Sequence, residues 1–334
     1  MSTKMVERTL EVATVAIAGQ QTHDGEAFPL VLACTDGGAP LDEAVTWVTN
    51  QRDALLAYAA THGAILFRGF PVASAGDFDR FVAAFHLPNF PYDESLSNAV
   101  RVNRTPRVFT ANEAPAAVTI FLHHEMAQTP IFPSRLFFFC EQAAASGGAT
   151  PLCRSDVLWR RIVVQCPRFA HDCEEKGLRY SNVMPPAADA TSGMGRSWQS
   201  TLRADTPAAA EERLHGLGYS WQWLPDGSLR ATTPRLPAVR DLTNGRKSFF
   251  NQLIAAYHGW RDTRNDPAKA ITHGDGTPLD AAAVAKVAEL AEDLIFDVPW
   301  QTGDVALVDN FVTMHGRRPF TGTRKVLASL VAID

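Results

Sequence analysis

"FLHHEMAQTP", residues 121–130, sets His123, His124 and Glu125 side by side inside an apolar stretch. In an extended strand, residues i and i+2 project to one face while i+1 points to the other. On that reading His123 and Glu125 share a face and His124 looks away. An H-x-E triplet on a strand is by itself as compatible with chance as with a metal site, so a further ligand has to decide.

That ligand is sought near the other end of the chain, in "ALVDNFVTMHGRRPFTGTRKVLASLVAI", residues 306–333. Here His315 follows one strand, precedes a Gly-Arg turn, and is succeeded by a second strand carrying Arg324 and Lys325. Two imidazoles and one carboxylate on one face form the donor set of non-haem Fe(II) centres that keep positions open for other ligands. The wide separation of His123 and His315 suits a sandwich, in which strands distant in sequence lie side by side. A compact H-x-x-x-H on a helix, more usual for zinc hydrolases, is absent.

The rest of the chain supports a β-rich fold. Short apolar runs over 119–125, 135–142, 149–154, 178–183, 219–223, 229–232, 248–254, 304–309 and 325–333 read as strands, and 8–18 as an N-terminal one. "WLPDGSLRA" (223–231) reads as a hairpin turning at Asp226-Gly227. Helical periodicity covers 41–62, 75–86, 155–175, 207–216 and 279–294. The "AILFRGF" strand (64–70) between two helices lacks the G-x-G-x-x-G of a dinucleotide site. These patterns predict a mostly β chain with flanking helices (α+β) and a jelly-roll or similar sandwich core. No low-complexity linker divides it, and strands of either half lack obvious partners at home, so one domain over 1–334 is expected. The Pro/Gly/Ser-rich 184–197, "MPPAADATSGMGRS", reads as a mobile loop or lid.

Composition narrows the function classes. The 334 residues are 46% hydrophobic and 20% charged, with a net charge of −5. That is a soluble, globular balance without a basic arm, so no nucleic-acid partner is expected. No apolar run reaches the roughly 18 residues of a membrane span, and the N-terminus lacks a signal-peptide core. The five cysteines are odd in number and form no C-x-x-C, which suits reduced thiols in the cytoplasm.

The segments "FLHHEMAQTPIFPSRLFFFCEQAAASGGATP" and "LVDNFVTMHGRRPFTGTRKVLASLV" resemble the two signature regions of the taurine dioxygenase/clavaminate synthase (TauD/TfdA) superfamily. The resemblance extends more loosely from about Ala64 to the C-terminus. It implies a double-stranded β-helix (jelly-roll, cupin-like) core and an Fe(II)-, 2-oxoglutarate- and O₂-dependent oxygenase. The nearest branch is the H-x-E one, which includes amino-acid hydroxylases of non-ribosomal peptide and antibiotic pathways. By the resemblance His123, Glu125 and His315 are the iron ligands, Thr150 meets the 2-oxoglutarate carboxylate, and Arg324 anchors that cosubstrate. Several relatives carry a second arginine further along the strand, where this chain has Ala328 or Ser329, leaving Lys325 or Arg318 as helpers. The retained carboxylate favours hydroxylation over halide transfer. The expected substrate is small, polar and amino-acid-like, free or tethered to a carrier protein.

Other residues carry two readings each. Arg317 and Arg318 are either solvated turn charges or anion anchors beside the metal. Asn103 is a strand-end polar residue or a substrate contact, and Asn251 a structural amide or a substrate contact. His124 reads as packing, and Trp198, Trp221 and Trp223 as core aromatics. Two rivals to hydroxylation remain open: the same cofactors driving desaturation, epimerisation or cyclisation, and a jelly-roll protein that binds without turnover. The sequence is silent on oligomeric state.

Overall fold

The computed structural model describes residues 10–332, apart from 98, 112, 190, 193 and 261–263. Two of the latter, 190 and 193, fall within the expected lid.

Two sheets face each other. The major sheet orders Val12–Thr14, Leu30–Cys34, Ala64–Arg68, Val305–Asp309, Arg135–Gln142, Lys325–Val331 and Val108–Thr110. Its pairs are antiparallel except Leu30–Cys34 against Ala64–Arg68. The minor sheet orders Ile295–Val298, Thr150–Arg154, Thr313–Arg317 and Ile120–His123, all antiparallel. The order mixes strands from both halves of the chain, so neither half holds a complete sheet.

Strand alternation builds the core. Leu136, Phe138, Cys140, Ala306, Val308, Val326, Ala328 and Leu330 point inward from the major sheet and meet Leu152, Phe296 and Val298 of the minor one. The intervening Phe137, Phe139, Val305, Leu307 and Leu327 face the other way, against Val48, Leu55, Phe78 and Phe81 of helices Leu41–His62 and Ala75–Ala83. Behind the minor sheet, Leu122, Cys153 and Met314 pack on helices Ser155–Gln165, Leu253–Gly259 and Ala281–Glu292. The outer faces of both sheets are therefore covered by helices. Truncating an inner residue such as Phe138 to Ala would cost about 3–5 kcal/mol.

Local signals explain where helices begin and end. Ser74, Thr206 and Asp280 accept bonds from the first-turn amides of their helices. Gly63 ends the first helix at φ 79°, and a Cβ there would lie 2.5 Å from Thr313 Oγ1. Instead the Gly63 carbonyl accepts from that hydroxyl at 2.9 Å, tying the helix end to the His315 strand.

Some expected elements differ. The helix over 155–175 is two, Ser155–Gln165 and Pro167–Lys176, because Pro167 lacks the N–H to continue but suits a first turn. The 248–254 strand is replaced by a short Lys247–Ser248 pairing and the helix Leu253–Gly259. There the Asn251 side-chain oxygen accepts from Leu253 N at 2.8 Å and turns the backbone into a helix. The N-terminal strand shrinks to Val12–Thr14, with residues 8 and 9 outside the described residues. Strand Thr313–Arg317 contains His315 where a Gly-Arg turn was expected to follow it. Near the end of the 184–197 stretch, the Arg196 guanidinium donates to the carbonyls of Asp93, Ser95, Ser97 and Ser200. No described helix is long and apolar enough to cross a membrane.

Candidate metal centre

His123 ends the Ile120–His123 strand and its Cα partner across the minor sheet is His315. The two rings lie 4.3 Å apart between centroids. Glu125 arrives differently from the expected strand alternation. The strand stops at His123, and the chain turns through Met126 at φ 58°. Asn310 fixes that turn: its Oδ1 accepts from Glu125 N at 2.8 Å and its Nδ2 donates to the Glu125 carbonyl at 3.1 Å. One donor atom each from His123, Glu125 and His315 then lie within 4.8 Å of one another, the only such cluster among the described residues.

His124 turns away, fully buried against Phe250. Its amide donates to the Asn251 carbonyl and its carbonyl accepts from Gln252 Nε2 at 3.0 Å.

The electrostatics suit a divalent cation. His123 Nδ1 lies 2.7 Å from the Phe121 carbonyl, which places its proton there and leaves Nε2 with a lone pair. Burial, reinforced by the nearby His315 charge, pushes the His123 pKa down to about 4, so the ring is neutral at pH 7. Burial alone would raise the Glu125 carboxyl; Arg101 and the two imidazoles outweigh it and hold the group well below the usual carboxylate range. Arg101 Nη2 lies 3.0 Å from Glu125 Oε1, and His315 Nε2 lies 3.3 Å from Oε2. Two imidazoles and one carboxylate in this arrangement fit Fe(II).

A second group lies at the start of the Thr150–Arg154 strand. Thr150 Oγ1 accepts from Trp300 Nε1 at 3.0 Å and from Arg324 Nη2 at 3.3 Å, which leaves its proton free to donate. Arg324 Nε donates to the Gly148 carbonyl at 2.8 Å. Gly148 sits at φ 70°, and a Cβ there would come within 2.9 Å of Arg324 Cδ. Among the described residues no carboxylate pairs with Arg324, and burial pushes its pKa down to about 10. A largely buried guanidinium without a counter-ion fits an incoming carboxylate.

Several expected contacts lie elsewhere. Arg318 is engaged by Asp297 at 3.0 Å and Glu292 at 2.7 Å on the surface, so it does not help Arg324. Lys325 is exposed. Arg317 is buried, and its guanidinium donates to the carbonyls of Ala114, Pro115 and Val118, bracing that loop. Asn251 is 0% exposed, and its amide bonds to the Ala238 carbonyl and Leu253 N. Asn103 is exposed in a bridge to Phe109. The polar residue upstream that reaches the site is Arg101, a lone charge between Val100 and Val102, and that pattern was its available signal.

Known proteins resemble this chain over most of its length. Residues 26–330 match the family model of the taurine catabolism dioxygenase TauD, TfdA family. A clavaminate synthase-like protein of Arabidopsis thaliana is 41% identical over 320 residues, covering 94% of this chain and 96% of that protein. The dapdiamide synthesis protein DdaC of Enterobacter agglomerans is 28% identical over 286 residues, covering 80% and 82%. An asparagine oxygenase solved with Fe(II), 3-hydroxyasparagine and succinate superposes with TM-score 0.53 at 14% identity, covering 89% of this chain and 87% of that one. The shared fold is the jelly roll, here with facing sheets that do not close into a barrel. The chain belongs to the TauD/TfdA family and is a dioxygenase that uses Fe(II), 2-oxoglutarate and O₂.

Proposed function

We propose that this dioxygenase hydroxylates an unactivated C–H bond of a small, polar, amino-acid-like substrate. The observation that carries the reading is the cleft opening onto His123 and Glu125. Its cavity volume is about 130 Å³, and polar Ser97, Arg101, Gln128 and Gln252 share its wall with Met194 and Trp260. At roughly 10–15 Å³ per enclosed water, that is space for about ten water-sized groups, the scale of an amino acid. DdaC is named for dapdiamide synthesis, and the asparagine oxygenase was solved with a hydroxylated asparagine. Both support the same class, as does the H-x-E arrangement.

His123, Glu125 and His315 would hold the iron, and Thr150 and Arg324 the far carboxylate of 2-oxoglutarate. When bound, these groups oxidise the C–H bond with O₂ while 2-oxoglutarate leaves as succinate and CO₂. The protein's part is placement. Neutral His123 keeps its lone pair for the metal, and Asn310 locks the backbone that carries Glu125. The rings and side chains of Phe138 and Leu152 close the inner side and exclude water. Arg317 stiffens the loop whose Ala114 and Val118 form part of the cleft wall. The five free thiols suit the reducing cytoplasm we assign as its location.

The test is a panel of free amino acids and their derivatives, assayed with Fe(II) and O₂ for succinate release and product mass. Hydroxylation adds one oxygen atom to the product. A product lighter by two hydrogens would replace hydroxylation with desaturation or ring closure. If no member of the panel stimulates succinate release, the substrate class is wrong.

A further inference from the structure

Arg101 is the only Lys or Arg among the described residues lining the cleft. Its side chain is 8% exposed. The guanidinium lies 4.6 Å from the Tyr92 ring centroid and 5.3 Å from that of Phe109, so it is held in place by two aromatic faces. A guanidinium has five N–H donors. One nitrogen, Nη2, is used on Glu125, while buried Nε has no acceptor. Gln128, 7% exposed and also lining the cleft, has a buried Oε1 with no donor. Native interiors rarely leave such groups unmatched, and a matched ligand restores the lost hydrogen bonds.

The two orphans are complementary to one kind of molecule. An unfilled donor on a fixed cation calls for an oxyanion; an unfilled amide oxygen calls for an N–H. Resting on the substrate class proposed above, we infer that Arg101 receives the free carboxylate of the substrate and Gln128 Oε1 accepts from its amino group. Arg101 is thus a specificity-determining residue, and the substrate enters as a free acid instead of a carrier-bound thioester. A thioester at that position has no carboxylate to offer and would leave Arg101 Nε buried and unmatched. Sites built to hydrogen-bond a polar group reject analogues that lack it far more strongly than apolar pockets reject an extra methylene.

The test compares, on the iron-loaded enzyme, the best free amino acid of the panel with its primary amide and its N-acetylcysteamine thioester. Binding is read by calorimetry with 2-oxoglutarate present, and turnover by succinate release. Wild type should prefer the free acid by about a hundredfold in both readouts. In Arg101→Gln that preference should collapse to within a few-fold, a ratio internal to the variant and independent of its absolute activity. Gln128→Leu should likewise lose the preference for the amino acid over its deaminated analogue. Equal binding of acid, amide and thioester by wild type, or an acid preference that survives in Arg101→Gln, would overturn the inference while leaving an amino-acid oxygenase intact. Silence of the whole panel would instead remove the substrate class on which it rests.

Discussion

Arg154 and Arg324 meet the two ends of one strand, Thr150–Arg154, and their surroundings are opposite. Arg154 is 2% exposed and saturated: Nε and Nη2 meet both Asp156 oxygens at 2.8 and 2.7 Å, and Nη1 donates to the Thr61 carbonyl at 3.0 Å. Arg324 has a backbone carbonyl and a hydroxyl, and no carboxylate among the described residues. A buried cation whose partner is built in holds the fold together. One whose partner is missing is a place for a ligand. Arg101 is intermediate, half-matched by Glu125 and half open.

That contrast can be broken by truncation. The largest effect on folding is expected for Arg154→Met, which removes the bidentate partner of Asp156 and leaves it only Arg246. A loss of about 3 kcal/mol in chemical denaturation should follow, with the 2-oxoglutarate KM of the surviving folded protein little changed. Arg324→Met should invert the pattern. Stability should move by less than about 1 kcal/mol, while the affinity for 2-oxoglutarate, measured by calorimetry, should fall about thirtyfold or more. If the two substitutions gave the same pattern, the distinction between a closed and an open end would fail.

An effect smaller per pH unit tests burial in the same interior through protonation. Burial pushes the His124 pKa down to about 3 and that of His123 to about 4. The unfolded chain takes up these protons near the ordinary value of about 6.5. Below that pH the unfolded state therefore binds more protons than the folded one, and stability falls as pH falls, until the folded values are reached. The metal-free protein should lose on the order of 1 kcal/mol per pH unit for each histidine between about pH 6 and about pH 4. His124→Asn should flatten the slope of denaturation midpoint against pH. An unchanged slope would mean that His124 is not the neutral, buried ring described.

Much of the site was legible because its chemistry is local. The i, i+2 spacing singled out His123 and Glu125, although the carboxylate reaches the cluster through a turn clamped by Asn310 and not by strand alternation. The pairing of His315 with His123 is a long-range register that no local pattern carries. Neighbouring arginines were indistinguishable in sequence: Arg317 folds inward onto three carbonyls, while Arg318 finds Asp297 and Glu292 outside. Asn251 lay in an apolar run that reads as a strand, and its own side chain is what ends that reading. Sheet order, Trp300 and Arg101 depend on contacts between segments far apart in the chain.

The central claim is that His123, Glu125 and His315 together hold the iron. Its most direct test is Fe(II) titration of wild type and His315→Ala under anaerobic conditions, followed by 2-oxoglutarate-dependent succinate release. Wild type should bind one ion per chain, and His315→Ala should lose that binding and, on the order of a thousandfold, its turnover. Undiminished iron affinity in His315→Ala would contradict the account.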